Sequence, residues 1–540
     1  MTAARLREFV ADTPAEEDST LATARSELSR AFTVAEEAGA AGRGTRRRTW
    51  LDTFDWRLYK AGLTLEFEQA RRGGGRLLLS KADGTPQAEQ TVARWPRRPG
   101  LAEDLPDGPV RDRIIVLTSP RALLPIVRAV STASVTRLLN EDGKTVARLV
   151  TERVTATAPP GNTAADTTAE LPPRLAVAEV RGYPGQARRA AALLAGVPGV
   201  SHASQGLFAV ALTALGRHPA DYTSGVDAEI TATMPAPVAV ARLLLRLLDT
   251  MELNVPGVLR DIDTEFLHDF RVAVRRTRSA IKLLGEVLPA DLAEHYKTEF
   301  KWLGDVTTPI RDLDVHLLGF DAMTEQLVAA SPADLEPLRA FLVRRRAREF
   351  RRLAAALRGP RFGAIVQDWR KALLEIRDVD GPRRRRPTAA ALALSTTGRA
   401  YRRIAARGSA ITLASPPESL HDLRKRAKEL RYLLEFFAPL HDPVAYRKVV
   451  SDLKQLQDCL GEFQDSEVQR HEIHTLADEM LAERAAPAAT LLAMGEIAAK
   501  LTLSQAEARA EFAARFGRFA GPAGRERVRV LLAGQMQGRS

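Results

Sequence analysis

Two stretches decide the fold: His268–Leu284, reading HDFRVAVRRTRSAIKLL, and His421–Phe437, reading HDLRKRAKELRYLLEFF. Both begin His-Asp-x-Arg, and they lie 421 − 268 = 153 residues apart. At that spacing, without a gap, Arg275 matches Lys428, Arg278 matches Arg431, Lys301 matches Lys454 and Leu303 matches Leu456. Asp305 likewise matches Asp458, Asp312 matches Asp465 and Val315 matches Val468. A gapless repeat of this length reads as a duplicated helical bundle whose halves are related by an approximate two-fold axis.

Spacing also sets which side chains share a face. His268, Arg271, Arg275, Arg278 and Lys282 recur every three or four residues. At about 100° per residue they project within roughly 80° of one another, as one stripe along four turns. Leu267, Phe270, Val274, Ile281 and Leu284 occupy the other side, a core face. His421, Arg424, Lys428 and Arg431 repeat the stripe, with Lys425 beside it and Glu435 ending it. Like charges three or four residues apart cost a few tenths of a kcal/mol each. A face kept only for solvation therefore mixes signs, whereas a one-signed stripe repeated in register points to an external anion. Arg276, Lys301 and Lys454 complete the expected anion-binding set. Nucleic-acid readers add aromatic or base-reading side chains. Here aromatics are only 6% of the chain, and Tyr432 alone stands at a stripe margin. No P-loop, and no glycine-rich dinucleotide turn after a strand, is present. A row of Arg and Lys suits a repeating phosphate chain.

The rest of the chain bounds the possibilities. It has 540 residues, 79 basic and 67 acidic, for a net charge of +12, with 45% apolar and 27% charged residues. That is the balance of a globular protein of more than one domain. The single cysteine, Cys459, excludes an internal disulfide framework and a Cys-rich zinc site, and is expected to be a buried thiol. His471-Glu472-Ile473-His474 lacks the i,i+4 histidines of a zinc helix and reads as a surface helix. The opening residues lack a secretory apolar core, and Val238–Leu248 and Ala190–Val200 are too short or interrupted to span a bilayer. The expected setting is a reducing compartment, the cytoplasm, with no membrane partner.

Periodicity divides the chain. Between about residues 46 and 180 the period is mostly two, as in Leu63–Gln69, Thr145–Thr155 and Leu175–Val180. Gly73–Gly75 and Asn140–Gly143 read as hairpin turns, Pro120–Ser131 and Gln186–Leu194 as helices, and Thr155–Pro173 as a loop or insertion. This part is α+β and rich in antiparallel strands. After about residue 225 the period is 3.6, with helices expected over Phe266–Leu288, Asp334–Leu357 and Leu420–Phe437. The Arg cluster at 383–386, held between prolines, reads as a solvated linker.

These residues carry two family resemblances. HDFRVAVRRTRS (His268–Ser279) with Arg311-Asp312-Leu313-Asp314-Val315, and LHDLRKRAKELRY (Leu420–Tyr432) with Leu453–Val468, resemble the two signatures of the CHAD domain, covering about residues 225–520. The resemblance implies an all-α domain of two pseudo-symmetric four-helix bundles around a basic groove that binds inorganic polyphosphate, with polyphosphate granules as a candidate location. LDTFDWRLYKAGLTL (Leu51–Leu65) resembles the CYTH, or triphosphate tunnel, family over about residues 1–215. That family implies an antiparallel tunnel holding divalent metal on acidic residues and triphosphate on Lys and Arg.

The chain departs from the CYTH pattern. Anchored on Phe9, the opening Glu-x-Glu-x-Lys-Phe becomes Ala4, Leu6 and Glu8 at its three charged places. Leu-Arg-x-Arg becomes Leu65-Glu66-Phe67-Glu68, and Glu-x-Glu-x-Lys becomes Val177-Ala178-Glu179-Val180-Arg181. Lys81, Arg137, Glu152, Glu179 and Arg181 are the expected remnants of the tunnel. The domain is therefore expected to be degenerate and non-catalytic, with no cofactor. The alternatives are a magnesium- or manganese-dependent triphosphatase or polyphosphate phosphohydrolase, and a nucleic-acid binder without sequence preference.

Overall fold

A computed structural model describes residues 6–11, 17–37, 43–70, 73–93, 99–159, 167–378 and 387–537. Ala4 and the Arg cluster at 383–386 lie outside the described residues. The chain separates into two compact units, Met1–Thr223 and Ser224–Ser540.

The first unit is built on β1 (Leu6–Ala11), β2 (Thr33–Glu36), β3 (Arg43–Asp52), β4 (Leu63–Gln69), β5 (Gly75–Lys81), β6 (Pro86–Val92), β7 (Leu124–Leu139), β8 (Thr145–Thr157), β9 (Thr168–Glu179) and β10 (Val200–His202). Among the described residues they form one sheet in the order β10-β1-β9-β8-β7-β3-β4-β5-β6, with β2 also on β7. The pairs are antiparallel. Helices α1 (Glu17–Ser29), α2 (Arg57–Lys60), α3 (Pro109–Thr118), α4 (Pro184–Ala195) and α5 (Leu207–Ala214) complete the unit. One core gathers Phe9, Leu28, Leu149, Val177 and Leu194, and a second gathers Leu65, Phe67, Leu77, Leu79 and Ile114. The β4–β5 hairpin turns where expected: Gly74 has φ +63°, and a Cβ there would overlap the carbonyls of Val92 and Ala93.

Two expectations are corrected. Pro120–Ser131 is not a helix, because Leu124 opens the sixteen-residue strand β7. Pro125 disfavours a helix interior, and Ile126, Val127 and Val130 are β-branched residues that pack well on a pleated surface. The span Thr155–Pro173 is strand at both ends, since β8 runs to Thr157 and β9 begins at Thr168, while 160–166 lie outside the described residues. Pro172 and Pro173 are tolerated there because the β8–β9 register shifts at that point, from Val154 opposite Leu171 to Glu152 opposite Arg174. A bulge relieves prolines of the ladder hydrogen bonds that they cannot donate.

The second unit is helical: α6 (Ala236–Leu259), α7 (Thr264–Leu284), α8 (Ala290–Leu318), α9 (Phe320–Thr324), α10 (Glu336–Arg358), α11 (Pro360–Arg377), α12 (Ala389–Ser409), α13 (Pro417–Phe436), α14 (Pro443–Ala482), α15 (Ala488–Ala520) and α16 (Pro522–Gln537). The sequence repeat reappears as a repeat of elements. The starts of α6, α7 and α8, at 236, 264 and 290, recur 153 residues later as those of α12, α13 and α14, at 389, 417 and 443. In each set the three helices pack in succession, and α7 touches α13. Leu420, Leu423, Leu430, Leu456 and Phe512 belong to the core of the second set. Helix α14, forty residues long, outruns its counterpart, and its Ile473, Leu476 and Met480 join Phe341 and Leu342 of α10 in another core. Cys459 is buried as expected; its thiol donates to the Ala508 carbonyl at 3.2 Å, and burial pushes its pKa up to about 11. Among the described residues no helix is long and apolar enough to cross a membrane.

Candidate anion-binding groove

Helix α7 starts cleanly because the Asp263 carboxylate accepts from the backbone N–H groups of Glu265 and Phe266, at 2.9 and 3.2 Å. That cap satisfies two N–H groups that a helix start otherwise leaves without partners. Phe266, Leu267, Phe270, Val274, Ile281 and Leu284 are buried on one side, which directs the stripe to the other. Helix α13 does the same, burying Leu423, Ala427, Leu430 and Leu434.

Two ion pairs tie the helices together. Arg276 meets Glu435 at 2.7 Å and also donates to the Ser224 carbonyl at 2.8 Å, while Lys282 meets Glu429 at 2.6 Å. Between α7, α13 and the flanking α8 and α14 lie two adjoining cavities of about 420 and 540 Å³. His268, Val272, Arg275 and Asp465 line both, so the cavities form one continuous groove. Arg271, Arg278 and Arg311 line the first, and Arg276, Arg424, Lys428 and Arg431 the second.

The cations are not equivalent. Arg271 is half-buried and donates to the Gly304 carbonyl at 3.3 Å and to the hydroxyls of Thr307 and Thr308, both at 2.9 Å. Burial, more than any neighbour, lowers its pKa from the ordinary arginine value. Arg275 and Arg278 are exposed and have no ion-pair partner among the described residues. Arg424 is held by Asp465 at 2.8 Å, and Arg431 by Glu435 at 2.7 Å. Burial first, and then the charges of Arg424 and Arg275, bring the Lys428 pKa down to about 8.

The other expected residues lie elsewhere. Lys301, Lys454 and Lys425 are exposed and line neither cavity. His421 Nδ1 meets the side-chain oxygen of Gln464, and Lys282 borders a separate hollow with Arg399 and Arg403. Groove residues outside the expected set include Arg311, Thr307, Thr308, His316 and Asp465. His316 Nε2 lies 2.6 Å from Glu472, so the segment read as an idle surface helix supplies part of a groove wall. Arg311 and Asp465 had a sequence signal, through the repeated Asp312–Asp465 pair.

In the first unit, register sorts the expected tunnel residues by face. Arg137 and Glu152 share the face that carries Arg48, Glu66, Glu68 and Arg76. Lys81 falls in register with Leu79 and Leu77, and Glu179 with Val177 and Leu175, on the reverse faces. Arg181 lies beyond the end of β9 and is exposed. The shared face balances its own charge. Arg48 meets Glu152 at 2.7 Å and Glu66 at 3.6 Å, Arg76 meets Glu68 at 2.7 Å and Glu89 at 3.1 Å, and Glu8 meets Arg174 at 2.6 Å. Burial raises the Glu66 pKa, against the pull of Arg48. This donor set does not fit a divalent cation, because its carboxylates are engaged by guanidinium groups. Among the described residues no group of three or more His, Cys, Asp or Glu is placed to hold one.

Lys428 yields a stability prediction. Its folded pKa of about 8 lies below the ordinary 10.5, so the cost of carrying the charge is present in full below pH 8 and disappears as pH rises toward 10.5. Lys428→Met should therefore raise the unfolding temperature at pH 7, with the gain shrinking above pH 8. Thermal unfolding followed by circular dichroism checks this, and a loss of stability at pH 7 would contradict the assignment.

Comparison with known proteins agrees with the helical part of this picture. The family model described as the CHAD domain matches residues 242–474. The crystal structure of the CHAD domain from the plant Ricinus communis is 26% identical, over 54% of this chain and 95% of that one, with a TM-score of 0.45. PptA from Streptomyces chartreusis is 17% identical, over 52% of this chain and 99% of that one, with a TM-score of 0.42. HpAC1 from Hippeastrum, described as having a dominant triphosphatase activity, is 13% identical over 40% of this chain and 99% of that one, at a TM-score of 0.25. No curated protein matches the chain. Over residues 242–474 the helical unit is a CHAD domain.

Proposed function

We propose that the helical unit binds inorganic polyphosphate along the groove between α7 and α13. CHAD domains are linked to polyphosphate binding. The observation that carries the reading is the convergence of cations from both repeats on one continuous groove, where burial first and then Arg424 and Arg275 bring Lys428 down to about 8. A phosphate chain supplies the missing negative charge at regular intervals without asking for base recognition. Nucleic acid is the weaker reading, because Tyr432 is buried against Phe436 and offers no stacking platform. The matched starts of α6–α8 and α12–α14 support two bundles that arose by duplication and share the groove.

For the first unit we infer a degenerate triphosphate tunnel with a structural or regulatory role. Its support is the ion-pair network, in which Glu66 and Glu68 neutralise arginines that a triphosphate would otherwise meet. Release of phosphate from triphosphate by the intact protein, with magnesium or manganese, should not exceed a buffer control. Turnover that disappears on Glu152→Ala would overturn this reading.

Charge reversal tests the groove. Arg275 and Arg278 are exposed, so Arg275→Glu/Arg278→Glu should leave helicity intact while weakening polyphosphate binding by more than tenfold at moderate salt; tenfold is about 1.4 kcal/mol. Arg424→Glu/Lys428→Glu should do likewise, and Arg384→Glu/Arg385→Glu should cost far less. If the 384/385 variant loses binding while both groove variants keep it, the site is the Arg cluster and the groove reading is wrong.

A further inference from the structure

The two halves of the groove are related by the repeat but differ in how they treat equivalent arginines, and this difference bears on how a chain is held. Arg271 and Arg424 occupy equivalent positions. Arg271 donates to the Gly304 carbonyl and the Thr307 and Thr308 hydroxyls, and Asp312, the repeat equivalent of Asp465, acts on it through space without a hydrogen bond, so its N–H groups are not taken up by a carboxylate. Arg424 is held by a carboxylate, Asp465, at 2.8 Å. The contrast continues one step along the stripe. Arg278 has no ion-pair partner among the described residues, whereas its equivalent Arg431 pairs with Glu435.

Asp465 is placed where this matters. It lines both cavities, at the point where they join, and its side chain is 60% exposed against 20% for Arg424. The contact is a single one, Asp465 Oδ1 on Arg424 Nη2, and a phosphate oxygen can take the same place on the guanidinium. Exposed pairs of this kind are weak, up to about 1 kcal/mol, so an incoming polyanion can displace the carboxylate.

We infer that Asp465 is an internal stand-in for a phosphate, and that the first-repeat half of the groove, around Arg271, Arg275 and Arg278, is the anchoring subsite. The inference rests on the proposed polyphosphate function and specifies its ligand: a chain long enough to reach past Asp465 into the second half. A short phosphate seats in the first half alone and never meets the Arg424–Asp465 pair. A long chain gains the second half only by displacing Asp465, which makes that residue a determinant of chain-length preference.

The test uses the intact protein, tripolyphosphate and long-chain polyphosphate, titrated calorimetrically with and without magnesium. Asp465→Asn keeps the side-chain shape and removes the charge. It should tighten long-chain binding roughly two- to fivefold, the equivalent of up to about 1 kcal/mol, and leave tripolyphosphate within twofold. Arg278→Gln should weaken both ligands, whereas Arg431→Gln should weaken only the long chain. If Asp465→Asn tightens neither ligand, or weakens either one, the inference is overturned; weakening confined to magnesium would assign the carboxylate to a bridging cation instead. Should the unmodified protein bind no long-chain polyphosphate at all, the proposed function falls, and this inference with it.

Discussion

The contact of α7 with α13 is the constraint on which the rest of the helical unit depends. Each helix alone is an ordinary amphipathic element, with a buried apolar side and a basic polar side. Packing them together brings two basic stripes onto one groove, and the repulsion has to be met from within the protein. It is met by Glu435 and Glu429, which take Arg276 and Lys282 across the helix pair, and by Asp465, which takes Arg424 from α14. What these carboxylates leave uncompensated is concentrated at Arg275, Arg278 and Lys428. Burial and neighbouring cations make Lys428 easier to deprotonate than an ordinary lysine. A half-buried cation beside like charges costs stability, and a site of this kind is a candidate for binding an anion.

Much of this was legible in the sequence. The gapless offset of 153 between His268 and His421 foretold that helix starts would repeat at the same interval, as those of α6, α7 and α8 do. Helical periodicity placed Arg271, Arg275 and Arg278 opposite Phe270 and Val274. It could not show which stripe cations are already neutralised, because Asp465 lies on another helix and Glu429 pairs across to Lys282. For the same reason Thr307 and Thr308, with no periodic or charge signal, went unnoticed. In the first unit, Pro120–Ser131 misled because a short apolar run can be read as helix or strand, and only Pro125 and the β-branched residues argue for the latter.

The first unit gives a physical sense to its altered motif. Glu66 and Glu68 looked like charge inversions at places where the family resemblance implies arginine. On the sheet they meet Arg48 and Arg76, with Arg46 a further 3.8 Å neighbour of Glu68, so the inversions close an ion-pair network. Such a surface is balanced, and an anion bound on it would have to break several of these pairs at once. The two units thus treat their arginines in opposite ways. One neutralises its own arginines, and the other leaves some of them exposed.

The central claim, that the groove holds a polyphosphate chain through charge, is tested most directly by titrating long-chain polyphosphate into the intact protein at several salt concentrations. Neutralising phosphates with Arg and Lys releases counterions, so the logarithm of the affinity should fall linearly and steeply with the logarithm of salt. Duplex DNA at equal phosphate concentration should compete poorly. An affinity that does not change between low and moderate salt would contradict the account.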